Sequence, residues 1–158
     1  MNIDFARRED AQQIAEMSRD LIEAGLGWRW RPERIWRAIL DRETTVIKAK
    51  VSSGLAGFAI MRFHWAEEAH LDLLAVKPLY RRSGIGAALL SWLESSALTA
   101  GISIVRLELR ETNQQAMQFY KHRGYQTVRN IPGYYSGGEA AVSMARDLWS
   151  DVSAREIK

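Results

Sequence analysis

The chain has 158 residues, 47% hydrophobic and 26% charged, a composition that excludes intrinsic disorder and suits one folded domain. It has no cysteine, which removes disulfide scaffolds, thiol nucleophiles and thiolate zinc sites together. A net charge of +3, from 22 basic against 19 acidic residues, indicates no strong nucleic-acid footprint, yet the basic set is 17 Arg and 5 Lys, and guanidinium suits planar oxyanions.

Glycine and proline divide the chain into alternating segments. Ile3 and Phe5 alternate within residues 2–6 and predict a short strand. From Arg8 to Ala24 the apolar residues Ala11, Ile14, Ala15, Met17, Leu21 and Ile22 form a helical stripe, which Gly25 and Gly27 end. Pro32 suits the start of a second helix carrying Ile35, Trp36, Ile39 and Leu40. Thr44 to Val51 and Leu55 to Phe63 flank Ser52-Ser53-Gly54 and predict a hairpin, and a third strand covers Ala69 to Val76. A long helix runs from about Gly84 to Ala100, with Ile85, Leu89, Trp92, Leu93 and Ala97 on its apolar face. Ile102 to Leu109 is strand again, and Gln114 to Arg123 is helix, closed by Gly124. Tyr125 to Arg129 and Ala140 to Leu148 supply two last strands around a Pro-Gly loop. This order predicts an α/β (α+β) fold, a mixed sheet with helices on both faces, in a single domain over residues 1–149 with a polar tail over 150–158.

The acidic N-terminal stretch lacks the apolar core of a signal peptide, and no apolar run reaches the roughly 20 residues that span a bilayer. The expected compartment is the cytoplasm, with no membrane partner. His64, His70 and His122 have no metal-ligand spacing, so no metal is expected.

The most informative stretch is Leu73 to Leu90, where an apolar strand ends at Pro78, Arg81 and Arg82 follow, and a helix opens at Gly84 and Gly86. Free N–H groups at a helix start attract a phosphate, and glycine allows close approach. By spacing alone the segment reads equally as an anion site or as a basic loop that starts a helix. It is not a P-loop, since no Gly-Lys-Ser/Thr follows, nor a dinucleotide fingerprint, since a third glycine is missing.

Arg81-x-x-Gly84-x-Gly86-Ala87 resembles the Arg/Gln-x-x-Gly-x-Gly/Ala signature of the GNAT N-acetyltransferase superfamily. A second block agrees in the right order: Asn113 to Tyr125 resembles that family's Asn-x-x-Ala-x-x-(Phe/Leu)-Tyr-x-x-x-Gly-(Phe/Tyr). The resemblance spans about Asn2 to Leu148 and is nearest in motif to the ribosomal-protein N-terminal alanine acetyltransferases. It implies a mostly antiparallel sheet of six to seven strands, with acetyl-coenzyme A as co-substrate. It implies that Arg81, Arg82, Ser83, Gly84, Ile85, Gly86 and Ala87 cradle the pyrophosphate. The strand carrying Leu74, Ala75 and Val76 would splay from its neighbour and bind the pantetheine arm through backbone groups, with Asn113 contacting the cofactor from the next loop.

Without a thiol on the enzyme, direct attack of an amine on the thioester is the simple route. The resemblance places Tyr120 as acid beside the coenzyme sulfur and Glu108 as base; the bland alternative for Tyr120 is a core aromatic. His70 and Asp72 share the facing parity of Glu108 on the neighbouring strand, and His70 falls where histone-type members carry their glutamate. Burial of Glu108 is expected to raise its pKa toward the working pH.

Tyr134 and Tyr135 resemble the paired tyrosines before the last strand of N-terminal protein acetyltransferases, where they line the peptide groove. The pattern there often continues Glu-Asp-Ala; here it is Glu139-Ala140-Ala141. Trp28 and Trp30 alternate with Arg29 and Arg31 before a helix carrying Arg34 and Arg37, and could read a carboxylate or an aromatic acceptor or hold RNA by stacking; the bland alternative is that Trp36 is core and the arginines are a solvated face. The expected acceptor is a protein N-terminus, with a small-molecule amine as runner-up. A non-catalytic acetyl-coenzyme A binding module and an RNA-binding module are the other classes, and a homodimer is a further expectation.

Overall fold

The computed structural model describes residues 1–63 and 67–150; apart from Ser150, the expected polar tail lies outside them. Strands β1 (Asn2–Phe5), β2 (Thr44–Val51), β3 (Gly54–Phe63), β4 (Glu68–Val76), β5 (Ile104–Arg110), β6 (Gln126–Ile131) and β7 (Ala141–Asp147) form one sheet in the order β1-β2-β3-β4-β5-β7-β6. Every pairing is antiparallel except β4 with β5. Helices α1 (Ala11–Leu21) and α2 (Pro32–Leu40) precede β2, while α3 (Ile85–Thr99) and α4 (Gln114–His122) flank β5. The predicted order of elements is observed.

Alternation along the strands builds two cores, one on each side of the sheet. Val46, Phe58, Ile60, Leu73 and Ala75 pack with Ile14, Ala15 and Met17 of α1 and Ile35 of α2. Ile47, Met61, Leu71, Val105 and Leu107 pack with Leu89, Leu90 and Leu93 of α3. Each such large side chain contributes about 1.5–3 kcal/mol by leaving water. The first helix ends earlier than expected, at Leu21 rather than Ala24. The buried Glu23 carboxylate explains this: it accepts from the Ser18 hydroxyl at 2.8 Å and from the Arg29 N–H at 2.8 Å, drawing the chain into a turn.

Two irregularities set the course of β4. Ile60 lies opposite Leu73 and Met61 opposite Leu71, so Asp72 is an extra residue, a β-bulge. Before it, Ala69 and Leu71 face the α3 side; after it, Leu73 and Ala75 face the α1–α2 side. Leu74 and Val76 therefore pack on the α3 side, opposite to His70, although the numbers share parity. The second irregularity is that β4 pairs with β5 only from Glu68↔Ile104 to His70↔Arg106. Beyond that point the two strands part, as expected for Leu73 to Val76, and leave a fork.

Candidate active site

The fork frees one edge of β4. The Lys77 N–H donates to the Ala56 carbonyl on β3 at 2.8 Å. Backbone groups alternate sides along a strand, so those of Ala75 turn to β3 while those of Leu74 and Val76 point into the fork. The Val76 carbonyl there accepts from Arg81 Nε at 3.1 Å. Gly57 lies opposite Val76, and a Cβ on it would meet the Ala75 carbonyl oxygen at 2.8 Å. Only glycine lets β3 support the open strand this closely.

The loop after β4 makes a short turn at Pro78–Tyr80, and Arg82 and Gly84 then take left-handed backbone, with φ of 63° and 85°. The first bond of α3 runs from the Ala88 N–H to the Gly84 carbonyl, which leaves the N–H groups of Ile85, Gly86 and Ala87 without helical partners. Arg81, Arg82, Gly84, Ile85, Gly86 and Ala87 line one end of a cleft of about 950 Å³ that passes through the fork. The Ser83 side chain does not line it: its hydroxyl donates to the Tyr80 carbonyl and closes the loop. Asn113 also borders the cleft, with its side-chain oxygen capping α4 through the Ala116 N–H at 3.1 Å.

Tyr120, on α4, is buried and borders the cleft. Its ring meets Phe119 and Tyr125 edge-on, at centroid distances of 5.1 and 5.5 Å. Burial raises its pKa well above the usual phenol value, so the hydroxyl stays protonated. Tyr125 is fixed in turn by donating to the buried Glu94 carboxylate at 2.9 Å, which also accepts from Arg146.

A second group occupies the α1–α2 side of the sheet. His70 stands between two carboxylates, with Nδ1 2.6 Å from Asp72 Oδ1 and Nε2 2.7 Å from Glu108 Oε1. Arg62 donates to both Asp72 oxygens, at 2.6 and 2.9 Å, and the Tyr134 hydroxyl donates to Glu108 at 3.2 Å. Burial alone would discharge His70, but the hydrogen bonds to Asp72 and Glu108 outweigh it and raise its pKa to about 9. Burial likewise opposes charge on Glu108, and the bonds from His70 and Tyr134 overcome it, so its pKa falls below the usual value. The expected upward shift of Glu108 is thus reversed. Both ring nitrogens of the imidazolium donate.

Two connecting segments wall the mouth around Glu108. The one joining α1 to α2 contributes Glu23, Leu26, Arg29 and Trp30, and the one joining β6 to β7 contributes Tyr134, Tyr135 and Ser136. Tyr134 and Tyr135 meet edge-on at 4.9 Å. Trp28 is not part of the wall. Its indole N–H donates to the Ala15 carbonyl at 3.1 Å, and its ring packs on the α1–α2 core beneath Arg19 and Arg31. Arg34 covers Trp30 and Arg8 covers Trp36. The Trp/Arg alternation is therefore taken up within the chain, guanidinium on indole, rather than offered as a platform for bases.

Residues 11–125 match the profile of the acetyltransferase (GNAT) family. The chain belongs to that family. It is 28% identical over 155 residues to an N-alpha-acetyltransferase of Sulfurisphaera tokodaii, with 90% of each chain covered. Its fold is similar to that of the ribosomal-protein-S18-alanine N-acetyltransferase from Escherichia coli, at 24% identity, a TM-score of 0.75 and 93% of each chain covered. It is also similar to Chaetomium thermophilum Naa20 in complex with a bisubstrate analogue, at 23% identity and a TM-score of 0.82, covering 97% of this chain and 90% of that one.

This GNAT chain is accordingly an N-acetyltransferase that uses acetyl-coenzyme A as co-substrate. Among the described residues no helix is long and apolar enough to cross a membrane, and no group of three or more His, Asp or Glu could hold a metal ion. The cleft brings together the glycine loop, the open β4 edge, Tyr120, His70, Asp72, Glu108, Trp30 and the tyrosine pair, and leaves Trp28 and the Ser83 side chain outside. Sequence reasoning passed over three residues: Gly57, Arg62 and Glu23. An isolated glycine inside a strand is a readable signal of close backbone approach, whereas the partners of Arg62 and Glu23 depend on tertiary register.

Proposed function

We propose that this chain transfers acetyl from acetyl-coenzyme A directly to the α-amine of a protein N-terminus. The observation that carries the reading is the imidazolium of His70 held between Asp72 and Glu108 at the fork, beneath two loops that narrow the approach. The names of the relatives, N-alpha-acetyltransferases, support it.

The chain's residues fit the co-substrate. Arg81, Arg82 and the free N–H groups of Ile85, Gly86 and Ala87 face its pyrophosphate, and the Leu74 and Val76 edge accepts its pantetheine arm as an added strand. One of the N–H groups on that edge polarises the thioester carbonyl as the amine nitrogen bonds to its carbon and the C–S bond breaks. Tyr120, kept protonated by burial, donates a hydrogen bond to the departing sulfur. Glu108 accepts a proton from the attacking nitrogen. A carboxylate with a lowered pKa is a weak base, so it suits an amine that is already partly neutral. An α-amine, with a pKa of about 7.7–8.0, meets that need far better than a lysine or polyamine amine at about 10.4.

The test is coenzyme A release with three sets of acceptors: peptides with free N-termini, the same peptides blocked at the N-terminus but carrying an internal lysine, and polyamines or aminoglycosides. The expected result is fastest turnover with free N-termini and acetyl on the α-nitrogen by fragment mass. Turnover confined to small amines would reject the N-terminal reading, and acetyl-coenzyme A binding with no turnover would favour a binding module.

A further inference from the structure

Arg110 ends β5 two residues after Glu108 and on the same face, about 7 Å along the strand. Its Nη2 donates to the Ala24 carbonyl, 2.6 Å away in the segment between α1 and α2. Its Nε lies 3.4 Å from Glu139 Oε2, in the segment between β6 and β7. Glu139 is itself fixed: its other oxygen accepts from the Thr112 hydroxyl at 2.6 Å, and its carbonyl accepts from the Tyr135 N–H at 3.0 Å. The same guanidinium stands 6.0 Å from the centre of the Tyr135 ring. A second tie joins the two segments directly, from the Ser136 hydroxyl to the Leu26 carbonyl. The Arg110 and Glu139 side chains are only 23% and 29% exposed, so this pair is less screened than an open surface contact.

We infer that Arg110 is a positioning residue for the acceptor: it ties the two loops into an arch over the approach to Glu108 and so favours an amine at a chain end over one in a chain's middle. The inference rests on the N-terminal reading above. The shape of the arch is what would sort acceptors. An N-terminal residue brings a single chain beneath it, while an internal lysine must leave a backbone that continues both ways outside. Without Arg110 the Ala24 carbonyl loses its donor, and the turn that Glu23 shapes loses its anchor to β5. Trp30, which follows that turn and lines the cleft, is then less firmly placed.

Arg110→Gln and Arg110→Lys test this, with Arg37→Gln on the exposed side of α2 as a charge-matched control. The measurements are peptide KM and kcat, acetyl-coenzyme A Kd by titration, and the ratio of kcat/KM for a free-N-terminus peptide to that for an N-blocked internal-lysine peptide. Arg110→Gln is expected to raise peptide KM about tenfold, as loss of a charged hydrogen bond does, and to lower the ratio similarly, with Kd within about twofold. Arg110→Lys, which lacks the second arm of the fork, should recover part of both, and Arg37→Gln should match wild type. An unchanged KM and ratio, or a KM rise matched by equal weakening of acetyl-coenzyme A, would overturn the inference. If the wild-type chain acetylates no peptide, the N-terminal reading falls separately. The arch is then judged on the small amine it does use, and an unchanged KM for that amine in Arg110→Gln overturns it.

Discussion

His70 Nε2 stands 2.7 Å from Glu108 Oε1 across the fork between β4 and β5. The contact widens the gap in protonation that residue identity suggests, because the imidazole holds its proton to about pH 9 while the carboxylate stays ionised. Asp72 makes the charged imidazole firm by accepting from the other ring nitrogen and by taking both arms of Arg62. The charges of Arg62, Asp72, His70 and Glu108 cancel, so the group is a neutral but strongly polar floor to that end of the cleft.

This arrangement makes stability depend on pH in a definite direction. The folded pKa of His70 lies above its ordinary 6.5, so its contribution is complete below about pH 6.5 and is lost as pH rises through about 9. The lowered pKa values of Asp72 and Glu108 act at the other end, where their contribution disappears as pH falls below the usual carboxylate range. Urea unfolding between pH 6 and 9.5 should show wild type losing at most about 3 kcal/mol on the alkaline side. His70→Asn should remove that slope. Equal slopes in the two proteins would mean the imidazole is not charged in the fold.

Tyr120→Phe removes one oxygen and keeps the ring contacts with Phe119 and Tyr125. Because burial, and no ion pair, is what keeps the phenol protonated, little stability should be lost. Initial rates are expected to show kcat down by about a hundredfold, the low end of acid–base effects, with acetyl-coenzyme A affinity nearly intact. An undiminished kcat would remove Tyr120 from the chemistry.

Gly57→Ala addresses the support of the open strand. Its new methyl would press on the Ala75 carbonyl at 2.8 Å and on Leu89 and Val76 at 3.3 Å. A cost of about 1–3 kcal/mol in unfolding free energy is expected, with weaker acetyl-coenzyme A binding because the shift reaches the Leu74 to Val76 edge. Normal stability together with normal affinity would show that β4 has room to move.

Much of this fold was legible because its signals are local. The helical stripe from Ala11 to Leu21, the turn after Val51 and the glycines at 84 and 86 each act within a few residues. The joint group of His70 and Glu108 was not legible as a pair, since it requires the parallel register of β4 on β5 and its abrupt end at Arg106. Trp28 misled for a similar reason: its partner is a carbonyl 13 positions away on α1. Arg110 reaches back 86 positions to Ala24, a separation at which no spacing rule operates.

The bulge at Asp72 gives one strand two assignments, with His70 turned to the α1–α2 side and the Leu74 and Val76 side chains to the α3 side. On the proposed reading the donor lies along the Leu74 to Val76 edge, while the amine reaches Glu108 from the α1–α2 side. Both can then be bound at once, and the proposed transfer needs no residue of the enzyme to carry the acetyl group between them. A sequential kinetic scheme through a ternary complex, with intersecting rather than parallel reciprocal plots, is the expected outcome of that reading.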